Sequence, residues 1–459
     1  MRPLGLLAGV VLVASSPAGA QQKRTITFED FAAVRAVGDP QPSPDGKLVL
    51  YSVRTTDVAA NKRISQTFVV AMAGGTPSPF PGKDASGADV LATEARWSPD
   101  GKHVAYIAND QLWLADAGGG NPRQLTHLNG GATGPVWSPI GDKIAFTSAV
   151  YPDCSTDACN ASKTKAAADN KVKAHVADQL MFRHWNAWDE GTRSHLFVVG
   201  LDGSAPKDLI PGARYDVPPG PFGGSEGYAW SPDGREIAYT AKDQGRADAT
   251  STDVNVYTVA ASGGTPTVIT SANKGADQNP TYSTDGRFIA YASQARAGFE
   301  SDRWRLMIYS RADKRSRELL PAWDRNADAY FWSPEMNGIY VQTTDAGREK
   351  LYRVSLAGGS STALVVSGAP KLLVGDHNNA SFALSPNGHT LVWMRDASEF
   401  PAEVYASEIT VVAPATAHAV THENDALVAQ LALNPAEDFW FTGANGAKVQ
   451  GFVIKPPNW

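Results

Sequence analysis

The sequence has 459 residues, 42% of them hydrophobic and 19% charged, which is enough chain to bury a large interior. Its 42 glycines and 30 prolines favour a turn-dense, all-β architecture. The formal net charge of -6 is mild and no basic run or stripe occurs, which argues against nucleic acid as a partner.

The chain begins with Arg2, an apolar run from Leu4 to Val13, and Ala18-Gly19-Ala20 before Gln21. That is the layout of an export signal, so cleavage after Ala20 and a periplasmic or secreted location are expected. The run is too short to span a bilayer, and no later segment reaches that length, so no membrane partner is expected. The residue directly after the cleavage site is Gln21 and not cysteine, so a lipid anchor is not indicated.

A short pattern then recurs. Its clearest copies are Trp97-Ser98-Pro99-Asp100-Gly101 and Trp230-Ser231-Pro232-Asp233-Gly234. Ser, Pro, Asp and Gly in that order suit a type I turn, in which proline presets the second position and glycine relieves the last. An apolar segment follows each turn, such as Val104-Ala105-Tyr106 or Ile237-Ala238-Tyr239. Weaker copies place further turn serines at Ser43, Ser138, Ser283, Ser333 and Ser385. Seven copies result, spaced by about fifty residues with one short and one long gap. Between them lie strand pairs around Gly-rich turns, such as Val256 to Val259 before Gly263-Gly264. Each period supplies about four strands, the content of one blade, and the expected fold is a seven-bladed β-propeller.

The long gap runs from Ser138 to Ser231. It could hold an eighth, degraded blade, but its first part loses strand character, and an insertion in the third blade, about 151–195, fits better. Residues 158 to 181 are rich in Ala, Lys and Asp, with Val172, Val176 and Leu180 at helical spacing, so an amphipathic helix is expected there. An aromatic stretch with Trp185 and Trp188 follows. The only two cysteines, Cys154 and Cys159, read as a local disulfide in an exported chain. A metal site is the rival reading, but the spacings of His175, His184 and His195 match no zinc pattern, and no metal or other cofactor is expected.

One G-x-S-x-G occurs, at Gly223-Gly224-Ser225-Glu226-Gly227. A nucleophile elbow needs a buried strand before it and a helix after it. Here Val217-Pro218-Pro219-Gly220-Pro221 precedes and the next propeller turn follows, so Ser225 reads as a loop serine. With no βαβ region there is no parallel sheet to mount a Ser-His-Asp triad. No catalytic residue is assigned, and the 459-residue chain is expected to be inactive by itself.

The repeats resemble the WD40-like propeller repeats shared by the periplasmic TolB protein and the prolyl oligopeptidase family. Tyr151-Pro152-Asp153-Cys154 with Ala158-Cys159-Asn160, and Arg183-His184-Trp185 followed by Arg193 to Phe197, resemble the bacterial dipeptidyl aminopeptidase and acylaminoacyl-peptidase branch of that family. The segment from Phe439-Trp440-Phe441 to Lys455-Pro456-Pro457 resembles the hairpin that leads from the propeller into an α/β-hydrolase domain. The resemblance implies a signal peptide at 1–20, a propeller at 21–430, and a linker at 431–459 toward a hydrolase domain not included in this chain.

It also implies peptide substrates, a serine exopeptidase releasing N-terminal dipeptides or acylated amino acids, and a propeller that limits access to the site. The alternative is a stand-alone TolB-like propeller that binds proteins and catalyses nothing. An aminopeptidase must hold the free ammonium of its substrate, and a partly desolvated carboxylate does this well. Glu226, Asp189 and Glu190, in or beside the insertion, are the candidates, with Trp185 and Trp188 as a hydrophobic subsite. Each also has an ordinary reading, as a solvated loop charge or a packed aromatic. The sequence fixes no oligomeric state.

Overall fold

A computed structural model describes residues 23–459 except 85, 203, 410–415 and 458. The expected export signal lies outside the described residues. The chain forms a seven-bladed β-propeller. The blades are antiparallel sheets over 36–79, 93–124, 133–208, 228–268, 277–318, 329–374 and 378–419. The first strands of blades 1 and 2, 2 and 3, 4 and 5, and 7 and 1 touch one another near the axis.

The repeated turn joins the first and second strands of each blade, and its chemistry repeats too. In blade 2 the Ser98 hydroxyl donates to Asp100 at 2.7 Å and accepts from the His103 amide at 3.0 Å. Asp100 in turn accepts from the Lys102 amide at 3.1 Å. All seven turn serines are buried, because each satisfies main-chain groups that would otherwise face the neighbouring blade. Glycine at the fourth position has positive φ in six turns, from +67° at Gly234 to +82° at Gly141. In blade 6 Met336 takes that conformation at +58°, which an L side chain adopts only at a cost.

The tryptophan before the turn stitches blades together. Its indole N–H donates to a main-chain carbonyl of the preceding blade: Trp97 to Gln41 at 3.0 Å, Trp137 to Arg96 at 2.9 Å, Trp230 to Val136 at 3.1 Å and Trp332 to Thr281 at 3.3 Å. Blade 7 closes onto blade 1, and among the described residues neither blade takes a strand from the other. Val392, Met394, Val404 and Ala406 share one apolar cluster with Val49, Tyr51, Val53 and Val70. Glu423 seals that seam, accepting from Arg35 Nε and from the Tyr51 hydroxyl, each at 2.6 Å.

The seven turns lie on one face of the disc. The opposite face carries the links between second and third strands and those between blades. The insertion lies there, between the second strand (Lys143–Val150) and third strand (Arg193–Gly200) of blade 3. It is not the long amphipathic helix expected. The helix spans Asp157–Asp169, capped by the Thr156 side chain, and ends at Asn170 in an extended conformation. Val172, Val176 and Leu180 stand beyond it, 67%, 95% and 60% exposed. The Ala-rich half has the helix propensity, whereas the Val-containing half has little and no surface against which to bury a stripe.

The last segment returns to the same face. The hairpin Glu437–Thr442 and Lys448–Val453 is latched to the blade 6 loop through a fork between Arg348 and Asp438, at 2.7 and 2.5 Å. It leaves Phe439, Trp440, Phe441 and Phe452 more than two-fifths exposed.

Candidate functional site

The first strands of blades 2, 3 and 4 reach the loop face beneath the insertion, and between them opens a cavity of about 1520 Å³. Its floor includes Glu94, Arg96, Gly134 and Tyr228, and its walls come from the insertion and from the links on either side of blade 4's first two strands.

The floor is shaped by a β-bulge that recurs in the first strands. Register breaks between Gly38 and Gln41, Thr93 and Arg96, Gln278 and Thr281, and Ala380 and Ala383. In each, one residue has left-handed φ: Asp39, Glu94, Asn279 and Ser381, with Gly134 doing the same in blade 3. Bulges re-aim side chains, and Glu94 at φ +51° is the one that delivers a long carboxylate into the cavity.

One oxygen of Glu94 accepts from the Gly134 amide at 2.5 Å. Glu226 stands nearby on the single turn Ser225–Gly227, with one oxygen accepting from the Gly224 amide at 3.0 Å. Both carboxylates flank Tyr228, whose hydroxyl donates to the Gly134 carbonyl. Burial first and Glu94 next push that phenol far above its ordinary range, with Arg96 opposing and Glu226 adding to the rise. Arg96 does not neutralise Glu94, because it is drawn across the blade seam to Asp39 at 2.7 Å. Among the described residues no Lys or Arg is within ion-pair distance of Glu94 or Glu226.

Asp189 is different. Arg193 grips it with a two-pronged contact at 2.9 and 3.1 Å, and the Gly191 amide adds 2.8 Å. Burial alone would raise its carboxyl, but the Arg193 and Gly191 bonds outweigh that and hold it below its usual value. Glu190 is exposed, 3.9 Å from His175 Nδ1. Trp188 stacks under His175 with ring centres 4.1 Å apart and lines the cavity. Trp185 packs edge-on against Phe222 at 5.4 Å and lies outside the lining, two-thirds exposed. The structure therefore gathers Trp188, Asp189, Glu190 and Glu226 into one cavity, leaves Trp185 at its margin, and commits Asp189 to an internal partner.

Glu94 was not among the residues picked out from sequence. A signal for it exists: aligned on their turn serines, the repeats carry Asp39, Glu94, Gly134, Asn279 and Ser381 at one position, four residues before the serine. That is a turn-prone column inside a strand, as a bulge requires, and Glu94 is its one long side chain.

Ser225 begins a one-turn 3-10 segment that runs straight into the first strand of blade 4, Tyr228–Trp230. Neither the strand nor the helix of a nucleophile elbow flanks it. His195 is buried, with Nδ1 2.7 Å from Asp208 and Nε2 2.9 Å from the Ala213 carbonyl, both within blade 3 and its outgoing link. Cys154 and Cys159 form a disulfide with a Cα–Cα distance of 5.5 Å, tying the start of the insertion to its helix. Among the described residues no group of three or more His, Cys, Asp or Glu is placed to hold a metal ion.

The chain matches no protein-family profile. It is 29% identical to dipeptidyl-peptidase 5 of Porphyromonas gingivalis over 96% of its own length and 62% of that protein's. Dipeptidyl-peptidase 5 of Porphyromonas endodontalis is also 29% identical, over 95% of this chain and 61% of the relative. The chain thus spans about three fifths of the length of the curated relatives it matches. Among solved structures, the acylaminoacyl peptidase of Pyrococcus horikoshii superposes with TM-score 0.65 at 16% identity, over 93% of this chain and 58% of that one. The β-propeller domain of the trilobed protease from Pyrococcus furiosus gives 0.53 at 14% identity, over 86% of this chain and 98% of that one. These structural likenesses concern the fold.

Proposed function

From this kinship with the propellers of prolyl oligopeptidase-family peptidases, we propose that the chain is the substrate-selecting portion of an exported peptidase that releases dipeptides from free N-termini. The observation that carries the reading is the pair Glu94 and Glu226, two carboxylates without a cationic partner at the floor of a large cavity. Each has one oxygen occupied by a main-chain amide, which leaves the other for a ligand. A substrate ammonium offers three N–H donors and a positive charge, enough to satisfy both. An acylated amine offers neither, so the cavity favours free-amine peptides over blocked ones. Trp188 and the rings stacked on it would hold an apolar side chain next to the ammonium.

Hydrolysis itself is assigned to sequence that the relatives carry beyond the matched span, through the serine chemistry their family uses. The apolar hairpin at Phe439 to Phe441 supports this arrangement, because it stands on the cavity face and offers a second globular unit a surface there. The chain alone is therefore expected to turn over no aminoacyl or dipeptidyl chromogenic substrate. Turnover that is blocked by a serine-directed phosphonate and lost in Ser225→Ala would overturn that assignment.

The site is tested in the full-length enzyme by comparing free-amine and N-acylated substrates across Glu94→Gln, Glu226→Gln, Asp189→Asn and Glu190→Gln. Losing a charge-assisted contact costs about 1.5–3 kcal/mol, or roughly tenfold to a hundredfold in kcat/KM. That loss is expected for Glu94→Gln and Glu226→Gln with free-amine substrates only. Small and equal effects on both substrate types would remove the pair from the site. A large effect of Asp189→Asn on both types would mark loosening of the insertion instead, since Asp189 already serves Arg193.

A further inference from the structure

Of the seven residues that stand four places before a turn serine, two are acidic, Asp39 in blade 1 and Glu94 in blade 2. Each reaches forward to the next blade. Glu94 takes the Gly134 amide, and Asp39 takes the Arg96 guanidinium at 2.7 Å. Asp39 stands outside the cavity lining, whereas Glu94 and Arg96 both lie on its floor.

Arg96 follows Glu94 by two residues on the same strand, and the Tyr228 phenol registers both charges, Glu94 raising it and Arg96 lowering it. Besides Asp39, the guanidinium donates to the Ala95 carbonyl at 2.9 Å. Asp39 is its one ion-pair partner among the described residues, and Gln41 steadies the other Asp39 oxygen at 2.9 Å. The Arg96 side chain is only 21% exposed, so water can do little to replace that anion. Stripped of Asp39, Arg96 has the floor carboxylates Glu94 and Glu226 to turn to. Either pairing would take the oxygen left for a substrate ammonium.

We infer that Asp39 is a positioning residue for substrate selection. It holds Arg96 across the blade seam and off Glu94, which keeps the floor open to the free ammonium of a peptide. This rests on the ammonium reading above and adds the residue that decides whether the site is open or neutralised from within.

The repeat itself supplies the variant that isolates this role. Asn279 occupies the same position in blade 5 with φ +56°, against +50° at Asp39, so Asp39→Asn keeps the bulge and removes the charge. In the full-length enzyme, Asp39→Asn is expected to lower kcat/KM for free-amine dipeptidyl substrates roughly tenfold, mainly through KM. N-acylated substrates should be little affected. The double variant Asp39→Asn/Arg96→Gln removes the freed cation and should recover to within about threefold of wild type. A crystal structure of Asp39→Asn should show the Arg96 guanidinium against Glu94 or Glu226.

An Arg96 that stays in place would overturn the proposal. So would a double variant no better than the single one, because the loss would then come from a loosened seam. Glu94→Gln separates this failure from that of the ammonium reading. If Glu94→Gln loses free-amine activity and Asp39→Asn does not, Asp39 alone loses its role. If neither variant changes it, the ammonium site is wrong and this inference falls with it. Should Asp39→Asn not fold, Asp39→Ser makes the same test, since blade 7 carries Ser381 at that position with φ +52°.

Discussion

The two faces of the propeller are built from the same strands and differ in almost everything else. On the turn face, seven buried serines and four inter-blade indole bonds repeat with little variation. On the loop face no two links are alike. Ile140 is an exposed large apolar residue at a turn, and Val268, Val365 and Leu372 lie on outer edges. The other exposed large apolar side chains among the described residues stand on the loop face or on segments rising from it, including Phe31, Trp185, Phe222, Phe299 and Trp440. One face spends its sequence on holding the ring together. The other spends it on a cavity and on surface that water does not favour, which is how a binding face differs from a structural one.

Stability should divide along the same line. Trp137→Ala removes a buried ring and the bond to Arg96, and is expected to cost about 3–5 kcal/mol. Trp185→Ala, on an exposed ring, should stay within about 0.5 kcal/mol. Denaturant unfolding of both variants measures the contrast, and equal losses would erase it.

A buried carboxyl sharpens the comparison on the loop side. Asp277, at the start of the first strand of blade 5, is fully buried with one oxygen accepting from Asn273 at 2.9 Å and the other without a partner. Burial pushes its carboxyl up to about 6 from 3.8. A folded-state value above the unfolded one means that the folded protein holds the proton between about pH 4 and 6. Stability contributed by that proton is present below pH 4 and is lost as pH rises through 6, by about 2–3 kcal/mol. Asp277→Asn should therefore stabilise the protein at pH 7 by up to about that amount and flatten the pH profile in this window. An unchanged profile would show that Asp277 is charged in the folded state at all these values.

Reduction of the Cys154–Cys159 disulfide removes a constraint worth about 2 kcal/mol for so short a ring. The effect should be local, appearing as faster hydrogen exchange in the insertion with the propeller transition in place. Loss of the whole propeller on reduction would show that the insertion supports blade 3. A modest loss is expected at a single turn. Ser98→Ala leaves the His103 amide and the Asp100 carboxylate short of one partner and should cost about 1–2 kcal/mol in thermal unfolding.

The turns, the blade count and the place of the insertion were legible because they rest on local chemistry repeated along the chain. Ser98 and Asp100 satisfy each other within five residues, so their pattern survives in the linear sequence. The insertion's helix was legible only in part. Helical spacing of Val172, Val176 and Leu180 suggested a buried stripe, but spacing cannot reveal that no surface waits to receive it.

The site divides in the same way. Glu226, Asp189 and Glu190 were visible as charges near an interruption of the repeat, yet their roles depend on neighbours distant in sequence or geometry. Asp189 is committed because the insertion bends to bring Arg193 against it. Glu226 is joined by Glu94, which lies more than a hundred residues earlier, because blades 2 and 4 converge near the axis. By itself, then, the sequence determined the repeated turn, the seven blades and the segment most unlike them, all products of short-range hydrogen bonding and strand periodicity. Tertiary structure decided which carboxylates are already paired and which face is apolar. Those outcomes depend on which side chains the closed ring brings together, and no local pattern encodes that.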